Sequence, residues 1–141
     1  MLGADEAGKG PVLGPMVAGA VRAEPEALPS DVADSKRLTP DQREEIAAQL
    51  RENDRVETAT AAIPVDRIDD PTTDMNTLTV AAQAEALAQL ARDGDAAVVD
   101  AGDVNEARFG RRVADAVRDV NDWDDGDRAD AEQSSIDVTA E

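Results

Sequence analysis

The spacing of apolar residues along the chain shifts repeatedly between a period of two and one of about 3.6, and each stretch of constant period predicts one element. Residues 1–23 (MLGADEAGKGPVLGPMVAGAVRA) read as a short strand entering a Gly-rich turn, then a second apolar strand from about Val12 to Val21, together a hairpin. After a polar loop, Thr39-Pro40-Asp41-Gln42 is a helix start. Thr39 supplies a capping hydroxyl, Pro40 a φ suited to the first turn, and Gln42 the capping-box amide. That helix is expected to reach Arg51 with Ile46, Ala47 and Leu50 on its inner face. Val56 to Ile63 carries β-branched residues in partial alternation and stops at Pro64, which predicts a strand. Asp74 or Asn76 caps a helix in which Leu78, Ala81, Ala82, Glu85, Leu87, Ala88 and Leu90 fill about four turns, its seam made of small residues, before Gly94 closes it. The run Ala96-Ala97-Val98-Val99-Asp100 has the pattern of a buried central strand whose last residue meets solvent. Asn105 to Val120 is helical, with Phe109, Val113, Ala116, Val117 and Val120 on one face. Residues 121–132 read as a loop and Ser134 to Thr139 as a final strand. The expectation is a single α/β domain.

Charge complicates that picture. The 141 residues hold 32 Asp and Glu against 14 Lys and Arg, a formal charge of −18. Leu, Ile, Val and Phe number only 27, a share typical of disordered chains, and Ala supplies much of the remaining apolar content. Two states fit: an acidic, partly disordered chain, or a folded domain working in about molar salt, where the Debye length shrinks to about 3 Å. The regular element pattern favours the second. Basic usage agrees, because Lys9 and Lys36 are the only lysines beside 12 arginines. The chain has no His and no Cys, which removes imidazole and thiolate chemistry, disulfides and zinc held by either residue. No leader-like segment is present and no apolar stretch approaches about 20 residues, so the sequence predicts a cytoplasmic protein that is neither exported nor inserted in a membrane.

Two readings of the N-terminal motif compete. Gly3-Ala4-Asp5-Glu6-Ala7-Gly8-Lys9-Gly10 nearly matches a phosphate loop. Against this, Gly10 stands where a hydroxyl is needed, Asp5 and Glu6 would face the phosphates, and Gly14-Pro15 would break the following helix. A second reading has Asp5 and Glu6 holding divalent cations at a strand end, with the Gly8-Lys9-Gly10 turn offering amides to a phosphodiester. Neighbours on a regular strand point to opposite faces, so this reading expects a bend, which Gly8 and Gly10 permit. Asp100 ends a central strand, where open α/β sheets place their ligands. Each of these acids also reads as an ordinary surface, loop or capping residue.

Four blocks in order, DEAGKGPVLGPMVAGAV (5–21), DSKRLTPDQRE (34–44), the Met75-Asn76-x-Leu78 helix start and VVDAGDVNEARFGRRV (98–113), resemble those of type 2 ribonuclease H of the halophilic archaeal kind. The resemblance implies a ribonuclease H-like mixed sheet with flanking helices, incomplete at the C-terminus, residues 1–141 being the N-terminal portion of the catalytic domain. It implies an endoribonuclease that hydrolyses the RNA strand of RNA–DNA hybrids, or DNA with embedded ribonucleotides, by two-metal-ion chemistry with Mn²⁺ or Mg²⁺. Asp5, Glu6 and Asp100 match three of the family's four metal-binding carboxylates. Gly8, Lys9 and Gly10 match its Gly-Arg-Gly turn that senses the ribose 2′-OH, with Lys replacing Arg. Asp34, Ser35 and Lys36 match a block near the substrate backbone. The family's fourth carboxylate lies beyond a strand resembling SSIDVTAE, and its substrate-sensing Tyr has no counterpart here. The expectation is therefore a monomer, fragment or truncated relative, that cleaves poorly by itself. A non-catalytic, salt-adapted acidic module binding a basic partner is the rival.

Overall fold

Two N-terminal strands set the direction of the sheet. The computed structural model describes residues 1–7, 14–33, 35–121 and 136–141. In it β1 (Leu2–Ala7) and β2 (Met16–Ala23) pair antiparallel, from Leu2 opposite Arg22 to Ala7 opposite Val17. The expected hairpin is there, but β2 starts at Met16 and not near Val12. Pro15, just before it, has no N–H for a ladder bond, and Val12 and Leu13 lie outside the described residues. Helix α1 (Pro40–Glu52) leads to β3 (Val56–Ile63), which pairs antiparallel with β2. A single turn, α2 (Val65–Ile68), precedes α3 (Met75–Ala88); the sequence pattern had not predicted it. β4 (Ala96–Val99), α4 (Glu106–Val120) and β5 (Asp137–Ala140) complete the chain. The strand order is β3-β2-β1-β4-β5, with β4 parallel to both neighbours. β5 lies slightly later than the expected Ser134–Thr139, and the expected loop at 121–132 falls almost wholly outside the described residues.

Helix ends follow local chemistry. Gln42 N–H donates to Thr39 Oγ1 (3.2 Å) and Thr39 N–H to Gln42 Oε1 (2.9 Å), closing the capping box of α1. Asp74, not Asn76, caps α3 by accepting from Thr77 N–H at 2.7 Å. Asn105 caps α4 by accepting from Arg108 N–H at 2.9 Å. The turn after α3 passes through Gly94 at φ 83°, a left-handed conformation that glycine adopts without strain.

Helices α3 and α4 cover one face of the sheet, burying Leu2 and Ala4 of β1, Met16 and Ala18 of β2, and Ala97 and Val99 of β4. Small residues let the layers approach closely. A Cβ at Gly110 of α4 would lie 2.7 Å from the Val138 carbonyl oxygen of β5. Among the described residues the other face is covered towards β2 and β3, where Leu50 of α1 meets Ala23, Ala27 and Val56. This corrects the expectation for 96–100. β4 is central in the sheet yet buried on one side, and Val98 is 42% exposed, since none of the described elements covers that part of the second face. The inner face of α3 holds Leu78, Ala82, Leu87 and Ala88 as expected, with Ala81 and Leu90 packed against the core, but it also takes in the fully buried Gln83, whereas Glu85 is half-buried and lies opposite Arg67 at 3.4 Å.

At the sheet end where β1 begins, Arg22 of β2 gathers several acceptors. Its Nη2 pairs with the Asp95 carboxylate and donates to the Leu90 carbonyl at 2.9 Å, and its Nε lies 3.5 Å from Glu57. Arg92 adds its backbone N–H to Asp95 at 2.6 Å and its guanidinium to Glu57 at 3.0 Å. Burial pushes the Asp95 carboxyl up, but the hydrogen bonds from Arg22 and Arg92 and their charges outweigh it and hold it below the ordinary carboxylate range.

Candidate metal centre

Where β1 and β4 part company, three acids converge. The last parallel pair is Ala4 with Val99, and Asp100 N–H still donates to the Ala4 carbonyl at 3.2 Å. Beyond that point β1 continues through Asp5, Glu6 and Ala7, with no strand on its β4 side among the described residues. By alternation Asp5 and Asp100 leave on the face opposite α3, and Glu6 on the same side as buried Leu2 and Ala4. The end of the β1–β4 ladder leaves the two faces open to each other at this point; the bend expected at Gly8 and Gly10 lies outside the described residues. One carboxylate oxygen from each of Asp5, Glu6 and Asp100 lies within 4.8 Å of the others.

Each acid is held from behind. Glu6 N–H donates to Asp5 Oδ1 at 2.7 Å. From α3, Gln83 Nε2 donates to Glu6 Oε2 at 2.6 Å and to the Asp100 carbonyl at 3.0 Å. The loop after Asp100 is tied to α4 by Asp103, whose carboxyl is held below its usual range by Arg108 and by the Asn105 N–H. Next along the sheet, Glu141 N–H donates to the Val99 carbonyl (3.0 Å) and its carbonyl accepts from Ala101 N–H (2.7 Å), which brackets Asp100.

The acids stand at one end of an open cleft floored by Gly3, Gly19 and Val98, which Lys36 and Glu141 also line. Ser35 and Lys36 belong to one 3-10 turn, Ser35–Arg37. Gly8, Lys9, Gly10 and Asp34 lie outside the described residues. The phosphate-loop alternative is overturned, since Gly3–Ala7 are committed to the β1–β2 ladder and the segment after Gly14 is a strand where a helix is required. Sequence reasoning missed Gln83. Its signal was a buried spacing of Thr79, Gln83 and Leu87, masked by the surrounding alanines.

The family model for ribonuclease HII matches residues 2–130. The chain belongs to the ribonuclease HII family. It is 64% identical over 115 residues to the ribonuclease HII of Halobacterium salinarum, a match covering 82% of this chain and 53% of the relative. Among solved structures it is similar to the ribonuclease H2 of Pyrococcus horikoshii, with a TM-score of 0.71 and 26% identity over 99% of this chain and 63% of that one. It is also similar to the Archaeoglobus fulgidus ribonuclease HII solved in complex with PCNA, with a TM-score of 0.69 and 27% identity over 99% and 61% of the two chains. The mixed sheet with flanking helices is thus the ribonuclease HII fold. The chain spans about half the length of the curated relatives it matches. Among the described residues no helix is long and apolar enough to cross a membrane.

Proposed function

We propose that this protein is an endoribonuclease that hydrolyses the RNA strand of RNA–DNA hybrids, and DNA carrying embedded ribonucleotides, through divalent cations held by Asp5, Glu6 and Asp100. The observation that carries this reading is the convergence of the three carboxylates within 4.8 Å in a chain of the ribonuclease HII family. The donor set fits: it is all oxygen, in a chain without His or Cys, which suits Mg²⁺ or Mn²⁺ and not zinc or copper. Such ions, when bound, activate a water and offset charge on the leaving 3′-oxygen. Asp5 and Asp100 present their carboxylates from the open face, and Glu6 reaches the same point from the helix side. Lys36 meets the phosphate backbone as a point charge along the cleft. Gly8, Lys9 and Gly10, with Asp34 and Ser35, contact the substrate, and the 2′-OH is the group that separates RNA from DNA. Residues 1–141 form the N-terminal portion of a ribonuclease H-like catalytic domain that works as a cytoplasmic monomer.

The test is cleavage of duplex DNA carrying one ribonucleotide, in Mn²⁺ and about molar KCl. It compares the 141-residue chain with the same chain joined to the remaining segment of the Halobacterium salinarum relative. The joined protein is expected to cut at the ribonucleotide and the short chain to cut weakly. Asp5→Asn and Asp100→Asn in the joined protein should each lose more than about a hundredfold, the upper end of losses seen when only an outer partner of a metal is removed. Undiminished cutting by the joined Asp100→Asn protein would end this reading.

A further inference from the structure

Gln83 is a polar residue sealed in an apolar seam. It is 0% exposed, its neighbours Ala82 and Ala84 are buried beside it, and its Oε1 has no hydrogen-bond partner among the described residues. A buried carbonyl without a partner costs stability, and Leu or Met would fill the same space without that cost. What only the amide supplies is a pair of N–H groups on one nitrogen. Both are used: one on Glu6 Oε2 at 2.6 Å, the other on the Asp100 carbonyl at 3.0 Å.

These two acceptors sit on different strands, and both belong to the acid cluster. Asp100 has its N–H on the Ala4 carbonyl and its carbonyl on Gln83, so its backbone is held from two sides where β4 ends. Glu6 leaves β1 on the face opposite Asp5 and Asp100. Its carboxylate therefore needs a fixed anchor on the helix side to stay within 4.8 Å of theirs. A carboxylate offers about four acceptor sites, so accepting from Gln83 is compatible with ligating a cation.

We propose that Gln83 is a positioning residue for the cation site: its amide locks the Glu6 carboxylate and the Asp100 backbone into the arrangement that binds a divalent ion. This rests on the reading of Asp5, Glu6 and Asp100 as cation ligands. Outer partners of metal ligands act in this way, and their removal weakens metal binding by about 10–100-fold.

The experiment titrates Mn²⁺ calorimetrically into the 141-residue chain in about molar KCl and measures melting with and without the ion. The proteins are wild type, Asp100→Asn, Gln83→Leu and Gln83→Met. Both Gln83 variants should bind Mn²⁺ about 10–100-fold more weakly while their metal-free melting temperature moves by only a few degrees. A merely structural residue gives the reverse: a large metal-free drop with the Mn²⁺-dependent rise intact. That result, or wild-type affinity in both variants, overturns the proposal. Loss of the fold in both variants overturns it as well. If Asp100→Asn loses binding while the Gln83 variants keep it, the cation site stands and the role of Gln83 falls. If Asp100→Asn binds as wild type does, the cation reading itself fails and takes this proposal with it.

Discussion

Asp100 stands beside Asp5 on the same face, one step past the last in-register pair of two parallel strands, Ala4 with Val99. Like charges at neighbouring strand positions repel. Replacing Asp100 with Asn should therefore raise the metal-free melting temperature by a few degrees and remove most of the rise that Mn²⁺ produces by linkage. Thermal melts of both proteins with and without Mn²⁺ check this. An equal Mn²⁺ response would put the ion elsewhere on the acidic surface.

Elements bounded by backbone chemistry were legible in the sequence. Thr39 with Gln42, Pro64 and Asn105 each fix a boundary through groups that have few alternatives, and the structure places those boundaries where expected. The inner face of α3 was legible at Leu78, Ala82, Leu87 and Ala88 but not at Gln83, because alanines on every side leave almost no amphipathic contrast to separate Gln83 from Glu85. The site was half legible. Asp100 announces itself at a strand end, whereas the route by which Glu6 joins it depends on β1 outrunning β4 and on an amide from α3, neither of which a local pattern encodes.

Substituting Gly110 tests the packing of α4 on the sheet. Alanine normally favours a helix interior over glycine by about 1 kcal/mol. Here the added Cβ would stand 2.7 Å from the Val138 carbonyl oxygen, a backbone atom that cannot swing aside. Gly110→Ala should destabilise by about 1–3 kcal/mol, as overpacked cores do. Chemical denaturation at fixed high salt measures it, and a stabilised variant would show that α4 and β5 are less closely packed.

Acid sensitivity should trace to Asp95. Its carboxyl is held below the ordinary value of about 3.9, so the stabilisation it provides is complete above that value and fades as the pH falls through the lowered one. Asp95→Asn should cost about 1.5–3 kcal/mol near pH 7, the range for hydrogen bonds to charged groups. The gap from wild type should close as the pH drops below about 4. A gap that persists undiminished at pH 2 would assign the effect to packing and not to charge.

Salt should control the fold as a whole. With a formal charge of −18, the chain gains most from screening. Helix and sheet signals in far-ultraviolet circular dichroism should develop only as KCl approaches about 1 M, where the Debye length is about 3 Å. Full helix content in dilute buffer would contradict this.

The Arg22 cluster sits at the end of the sheet where β1 begins, away from the acids at its other end. It ties β2 to the Leu90 carbonyl and to Asp95, and opening of the sheet is expected to start more readily at the acid end, where like charges repel. Amide hydrogen exchange should record that gradient. Protection ought to be highest near Leu2 and Arg22 and to fall along β1 towards Asp5 and Glu6, because local opening starts where fewest contacts hold the backbone. A bound cation would then flatten the gradient from the Asp5 end, which makes the exchange rate of a few β1 amides a direct gauge of occupancy.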